Sequence, residues 1–190
     1  MLYRLNSDGN DFLHLVYDDA EVIEKLGEDN LIQIECDVRA YSPVWKKLNV
    51  SFEAAMGGKR SGPIPDLQVH SGHLFLSAEA RAALAGVLEN VGEILPVTYC
   101  GKEGAIFNPL SVLEASHKSS TKNSYGDVTS LFFDSEKLIF KTPFDDYFGV
   151  YCSDEFKNLV EAAALTGIVF EKDLSHIYVG DAEKSGRSIH

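Results

Sequence analysis

At 190 residues, with 45% hydrophobic and 24% charged content, the chain can bury a sizeable core, and no apolar run approaches the ~20 residues of a membrane-spanning helix. Its 29 acidic and 17 basic residues give a net charge of −12, which repels nucleic-acid backbones and anionic membrane surfaces and attracts basic proteins. Cys36, Cys100 and Cys152 are far apart and form no C-x-x-C pair, which argues against a disulfide framework and a zinc site.

In chain order, residues 1–5 read as a short strand, Ser7 to Asn10 as a turn and Phe12 to Tyr17 as a second strand. Asp18, Asp19 and Glu21 open a helix that runs to Leu26 and ends at Gly27, the acids lying at the positive end of its dipole. Residues 31–34 are β-like, residues 41–44 read as an extended segment, and Trp45 is expected to be buried. Three glycines and two prolines between Met56 and Pro65 predict a flexible connection, with a subdomain boundary near residue 60.

The best-framed stretch runs from Pro65 to Tyr99. A Ser71-Gly72 turn precedes the apolar run Leu74 to Leu76, and Ser77 is placed to cap a helix whose Ala80, Leu84, Val87, Leu88 and Val91 form one stripe. Gly92 is the expected terminator, and residues 93–99 carry strand composition. Pro96 cannot donate to a ladder, so an edge or a bulge is expected there. Residues 100–104 read as a hairpin loop and residues 105–108 as its returning strand, with Pro109 ending the pairing.

Residues 117–126 are polar, and residues 131–133 and 138–140 flank a four-residue turn as a predicted hairpin. A strand over 148–152 leads to a second helix, capped at Ser153, with Phe156, Leu159, Val160 and Ala163 on one face, followed after Gly167 by a strand at 168–170. The pattern predicts an α+β fold, a mostly antiparallel sheet with two or three helices packed on one face. Its expected parts are an N-terminal α+β subdomain over 1–60, a domain over 65–175 and a polar tail over 181–190.

The catalytic motifs are weak. Residues 119–122 match S-x-x-K in a polar loop, His70 and His73 flank a Ser-Gly turn without a third metal ligand, and Gly57-Gly-Lys59 lacks the rest of a phosphate loop. No cofactor or metal is called for. The pairs Asp18-Asp19 and Asp145-Asp146, with Tyr147 and Phe148 beside the second, instead form a candidate recognition surface for a basic partner.

Residues 65–174 also resemble the immunity protein 11 family of bacterial polymorphic-toxin systems. The resemblance rests on Pro65-Asp66, Leu76-Ser77 before the helix, Ile94-Leu95-Pro96-Val97, Leu138-Ile-Phe140 with Phe144, Val150-Tyr-Cys-Ser153, and Leu165-Thr-Gly167. It implies a non-enzymatic, cytoplasmic inhibitor that binds a cognate toxin encoded by a neighbouring gene, with Pro65, Asp66, Leu95, Pro96, Thr166 and Gly167 as scaffold positions. The alternative is a small-molecule-binding or enzymatic α+β domain whose site is assembled from distant residues such as His70, His73 and a carboxylate.

Overall fold

A computed structural model describes residues 1–54 and 62–176. The elements are β1 Leu2–Ser7, β2 His14–Tyr17, α1 Asp19–Leu26, β3 Leu48–Glu53, β4 Leu67–His70, β5 His73–Leu76, α2 Ala78–Leu88 and β6 Gly92–Tyr99. They continue with β7 Lys102–Pro109, β8 Thr121–Lys122, β9 Val128–Ser130, β10 Ile139–Phe140, β11 Val150–Ser153, α3 Asp154–Ala162 and β12 Ile168–Glu171. A 3-10 turn, Pro143–Asp145, precedes β11. The fold is α+β and its sheets are mostly antiparallel, as the patterning predicts.

Local chemistry explains the best-predicted elements. Asp18 caps α1 through its side chain, and Gly27 ends it with φ at 92°. Ser77 Oγ accepts from Ala80 N at 3.1 Å to cap α2, which buries Ala80, Leu84 and Leu88 and stops four residues before Gly92. Ser71-Gly72 and Cys100-Gly101 each combine two positive φ angles, the geometry of a tight hairpin turn. The second turn is therefore shorter than expected, and β7 starts at Lys102.

The six-stranded sheet has the order β2-β3-β6-β7-β5-β4, and the four-stranded one the order β10-β11-β1-β12. Period-two alternation sorts the six-stranded sheet's side chains. Leu74, Leu76, Ala105 and Phe107 point into a core shared with Tyr3, Leu5, Val150 and Cys152 of the other sheet and with α2 and α3. Phe75, Leu95, Val97, Tyr99 and Ile106 point the opposite way, into a core that contains α1. Two helices thus share one core and α1 belongs to the other. The six-stranded sheet nearly closes, because the buried Gln68 amide on β4 accepts from Leu15 N and donates to Leu13 O beside β2.

Several expectations are corrected. The N-terminal residues are not a separate subdomain in sheet terms: β1 pairs with β11 and β12, and β3 pairs in parallel with β6. The expected boundary near residue 60 and the polar tail over 181–190 lie outside the described residues, as does most of the connection before Pro65. Residues 31–34 form a turn, with Ile34 N donating to Leu31 O at 2.9 Å, and residues 41–44 form another, closed by Val44 N to Tyr41 O at 3.0 Å. Trp45 is only half-buried, its Nε1 donating to Pro96 O at 3.0 Å. Pro96 lies in an interior strand, one residue before the parallel pairing with β3 begins at Val97, so its missing N–H breaks no rung there.

The hairpin predicted around residues 134–137 does not form. Instead β8 pairs with β9, and β10 pairs with β11. Phe133 stacks edge-on against Phe140, with ring centroids 5.0 Å apart, and Leu131 is buried in the same cluster. Packing on the outer face of the smaller sheet thus replaces the expected ladder.

Asp66 ties the architecture together. Its Oδ1 accepts from Ser77 Oγ at 2.9 Å, while its Oδ2 accepts from Thr166 N at 3.0 Å and Thr166 Oγ1 at 2.8 Å. Gly167, with φ at 102°, passes so close to Pro65 that a Cβ would lie 2.2 Å from the Pro65 Cβ. Three of the expected scaffold positions therefore meet Pro65 in one contact. Asp66→Ala is expected to cost about 1–2 kcal/mol by releasing the partly buried Ser77 and the exposed Thr166 turn, lowering the thermal midpoint by about 2–8 °C. Circular-dichroism melting checks this; an unchanged midpoint would remove Asp66 from its role as a clamp.

Candidate functional site

The six residues marked out for partner binding divide into two kinds. Asp18 and Asp19 are exposed at the start of α1; Asp18 Oδ1 caps the helix, and Asp19 Oδ1 accepts from Gln33 Nε2 at 3.1 Å. Asp146 and Phe148 are exposed, Phe148 by 50%. Asp145 is different, because its Oδ2 accepts from Gly149 N at 2.8 Å and from Tyr151 OH at 2.6 Å. Tyr151 also accepts from the buried Arg4 at 3.3 Å, so Asp145 belongs to an internal network. Burial pushes its carboxyl above the usual range. Asp146 and Tyr147 both adopt positive φ, 56° and 63°, which turns the chain sharply between the 3-10 turn and β11.

The two acidic segments lie more than a hundred residues apart in sequence, yet a chain of contacts joins them. Gln33 binds Asp19 through its side chain, and its carbonyl accepts from Ser71 Oγ at 2.8 Å and meets His70 Nε2 at 3.0 Å. The next residue, Gly72, packs so tightly that a Cβ would fall 2.6 Å from Tyr147 O. The turn at 32–34, the β4–β5 hairpin and the 145–148 turn thereby form one junction. Ile34, beside Gln33, is 66% exposed, whereas Ile32 in the same turn is fully buried. On a strand those two side chains would share a face; the turn separates them.

Beneath this junction lies a polar interior. Lys141, fully buried just after β10, donates from Nζ to Asp37 O at 2.7 Å and to Asn108 Oδ1 at 3.3 Å. Burial pushes its ammonium down to about 8, opposed by the charges of Asp37, Cys36 and Asp145. Cys36 is half-buried, and burial raises its thiol while Lys141 pulls it back. His70 and His73 sit opposite each other on the hairpin, and neither ring nitrogen of His73 makes a well-formed hydrogen bond. Burial holds both imidazoles below their ordinary range, most strongly at His73.

Sequence reasoning pairs His70 and His73 with an unspecified carboxylate; the structure encloses His73 near Lys141, while His70 is half-buried beside Gln33. Among the described residues no group of three or more His, Cys, Asp or Glu could hold a metal ion. The S-x-x-K residues lie on a turn and β8, with Lys122 exposed, so the helical spacing that chemistry needs is absent. Lys141, Cys36, Gln33 and Ile34 were not singled out. The only signal for Lys141 is a lone cation closing the apolar run Leu138 to Phe140.

The fold is α+β, a six-stranded and a four-stranded sheet packed on a shared core with a small β8–β9 ribbon, and the junction exposes acids and apolar side chains at the start of α1 and on turns. No protein-family model matches the chain, and no curated protein sequence matches it.

The polar interior has a pH signature. Lys141 takes up a proton more readily in the unfolded chain, near its ordinary 10.5, than in the fold, so its own contribution to stability rises as pH climbs above about 8, by about 1.5 kcal/mol at pH 9.5. The thiols of Cys36 and Cys152 work against it, because burial raises both in the fold and they ionise first in the unfolded chain over the same range. His70 and His73 act in the acid range: the unfolded chain protonates first, so stability falls as pH drops below about 6.5. Urea unfolding across pH should show the acid slope directly. On the alkaline side the parent should gain about 1.5 kcal/mol relative to Lys141→Met between pH 8 and 9.5, and a constant difference between the two proteins would assign the change elsewhere.

Proposed function

We propose that this protein is a non-enzymatic immunity protein that binds a cognate bacterial toxin stoichiometrically and neutralises it. The observation that carries the reading is the junction at which Asp19, at the start of α1, and Ile34, Asp146 and Phe148, on turns tied to the β4–β5 hairpin, are all exposed. Exposed apolar residues flanked by acids suit a basic protein face: the acids speed encounter and exclude wrong partners, and Ile34 and Phe148 supply the desolvated centre. The net charge of −12 favours such a partner at long range. The resemblance over residues 65–174 supports the same reading, since four of its six scaffold positions, Pro65, Asp66, Thr166 and Gly167, meet in one contact. A site assembled at His70 and His73 would need a reactant to reach His73, which is 1% exposed.

The test is co-expression with the product of the neighbouring reading frame, followed by co-purification and a growth assay. A stable complex with rescued growth is expected. Phe148→Ala and Ile34→Asp should each weaken the complex about tenfold, as loss of roughly 1.4 kcal/mol of apolar contact would do. Asp146→Lys should mainly slow association and weaken its salt dependence. Melting curves should stay within a few degrees of the parent. Full affinity in all three variants would move the interface off this junction, and no complex at all would overturn the immunity reading.

A further inference from the structure

A cleft of about 220 Å³ opens on another part of the six-stranded sheet, between the start of α2 and the β6–β7 turn. Ile64 and Pro65 form its apolar wall, and Glu79, Cys100 and Lys102 also line it. Its other acid, Asp66, is already engaged by Ser77 and Thr166. Glu79 and Lys102 are exposed, and among the described residues neither has an ion-pair or hydrogen-bond partner, nor do they pair with each other. Lys25, Lys47 and Lys157 each meet a glutamate, whereas Lys102, like Lys46, Lys118 and Lys172, has no ion-pair partner among the described residues but, unlike them, lines the cleft.

We propose that this cleft binds a free α-amino acid with an apolar side chain. The ligand's ammonium meets Glu79, its carboxylate meets Lys102, and its side chain lies against Ile64 and Pro65. Two opposite charges that line one cavity without touching leave a gap that a zwitterion bridges, whereas a simple anion or cation would satisfy only one of them. Size points the same way. Drug-sized ligands occupy roughly 300–1,000 Å³, so a smaller cleft suits a molecule on the order of ten non-hydrogen atoms. Because both charges are solvated, each contributes modestly, and the complex is weak and selective rather than tight. The site is built from elements other than the toxin-facing junction and stands independently of it.

The experiment is calorimetric titration of the full chain with L-leucine, alongside isoamylamine, which keeps only the amine, and 4-methylpentanoate, which keeps only the carboxylate. Leucine should bind with each half-molecule at least threefold weaker. Glu79→Gln and Lys102→Met should each weaken leucine about three- to fivefold without shifting the melting temperature. Leucine should also slow alkylation of the exposed Cys100, with half-protection at the calorimetric Kd, while buried Cys152 stays unreactive throughout. Binding that survives the double variant, or equal binding of 4-methylpentanoate, would overturn the zwitterion assignment. Neither heat nor protection at about 20 mM leucine would overturn the site. Toxin capture by the same variants should remain at parent strength, so failure here and failure of the immunity reading are told apart.

Discussion

One carboxylate organises the fold. Asp66 precedes β4, and its two oxygens reach the cap of α2 and the turn between α3 and β12, drawing together segments a hundred residues apart. Each bond is charge-assisted, and together they fix the partly buried cap of α2 and the exposed turn at Thr166 relative to one another. Ser77 can cap α2 while donating to Asp66, because a hydroxyl donates and accepts at once. Gly167 completes the contact, since only a residue without a side chain fits against Pro65 there. Two residues beyond Asp66, Gln68 bridges β4 to the start of β2 and replaces the backbone rungs missing where the sheet stops short of closing.

The interior beneath the junction is polar at a cost in stability. A buried ammonium, an imidazole without good partners and a half-buried carboxylate all occupy volume that aliphatic side chains could fill at lower free energy. Their geometry is specific, however. Lys141 reaches a main-chain oxygen at Asp37 and a side-chain oxygen at Asn108, and Asn108 in turn donates to Arg39 O and to Glu93. That network anchors the long connection between α1 and β3, which has no regular structure of its own. Turns held in this way present Ile34 at a defined place, and a preorganised surface loses less entropy on binding.

The exposed face and the small cleft are separate features of one scaffold. The face is made of turns from three parts of the chain and combines acids with apolar anchors; the cleft is made of α2's first turn, a hairpin turn and the segment entering β4. Both follow a common division of labour in which packed strands and helices fix positions and the connections between them carry chemistry.

Local signals in the sequence were sufficient for several features that depend on neighbouring residues, though not for the expected cap at Ser153, whose hydroxyl makes no capping bond. The caps Asp18 and Ser77, the stop at Gly27, the turn at Ser71-Gly72 and the α+β composition follow from side chains acting within about four residues. The alternation of Leu48, Val50 and Phe52 in β3 is likewise legible, from the period of two. Pairing between distant segments was not legible. Nothing near residues 131–140 reveals that Phe133 will pack on Phe140 while β10 pairs with β11, because the competing ladder and cluster differ only in contacts with remote strands. Likewise, Asp145 and Asp146 look equivalent in a row of letters. Only the tertiary structure places one against Tyr151 and the other in solvent, and joins Asp146 to Asp19 through Gln33 and the β4–β5 turn. Burial is a property of what surrounds a residue, and for these residues the surroundings come from the far end of the chain.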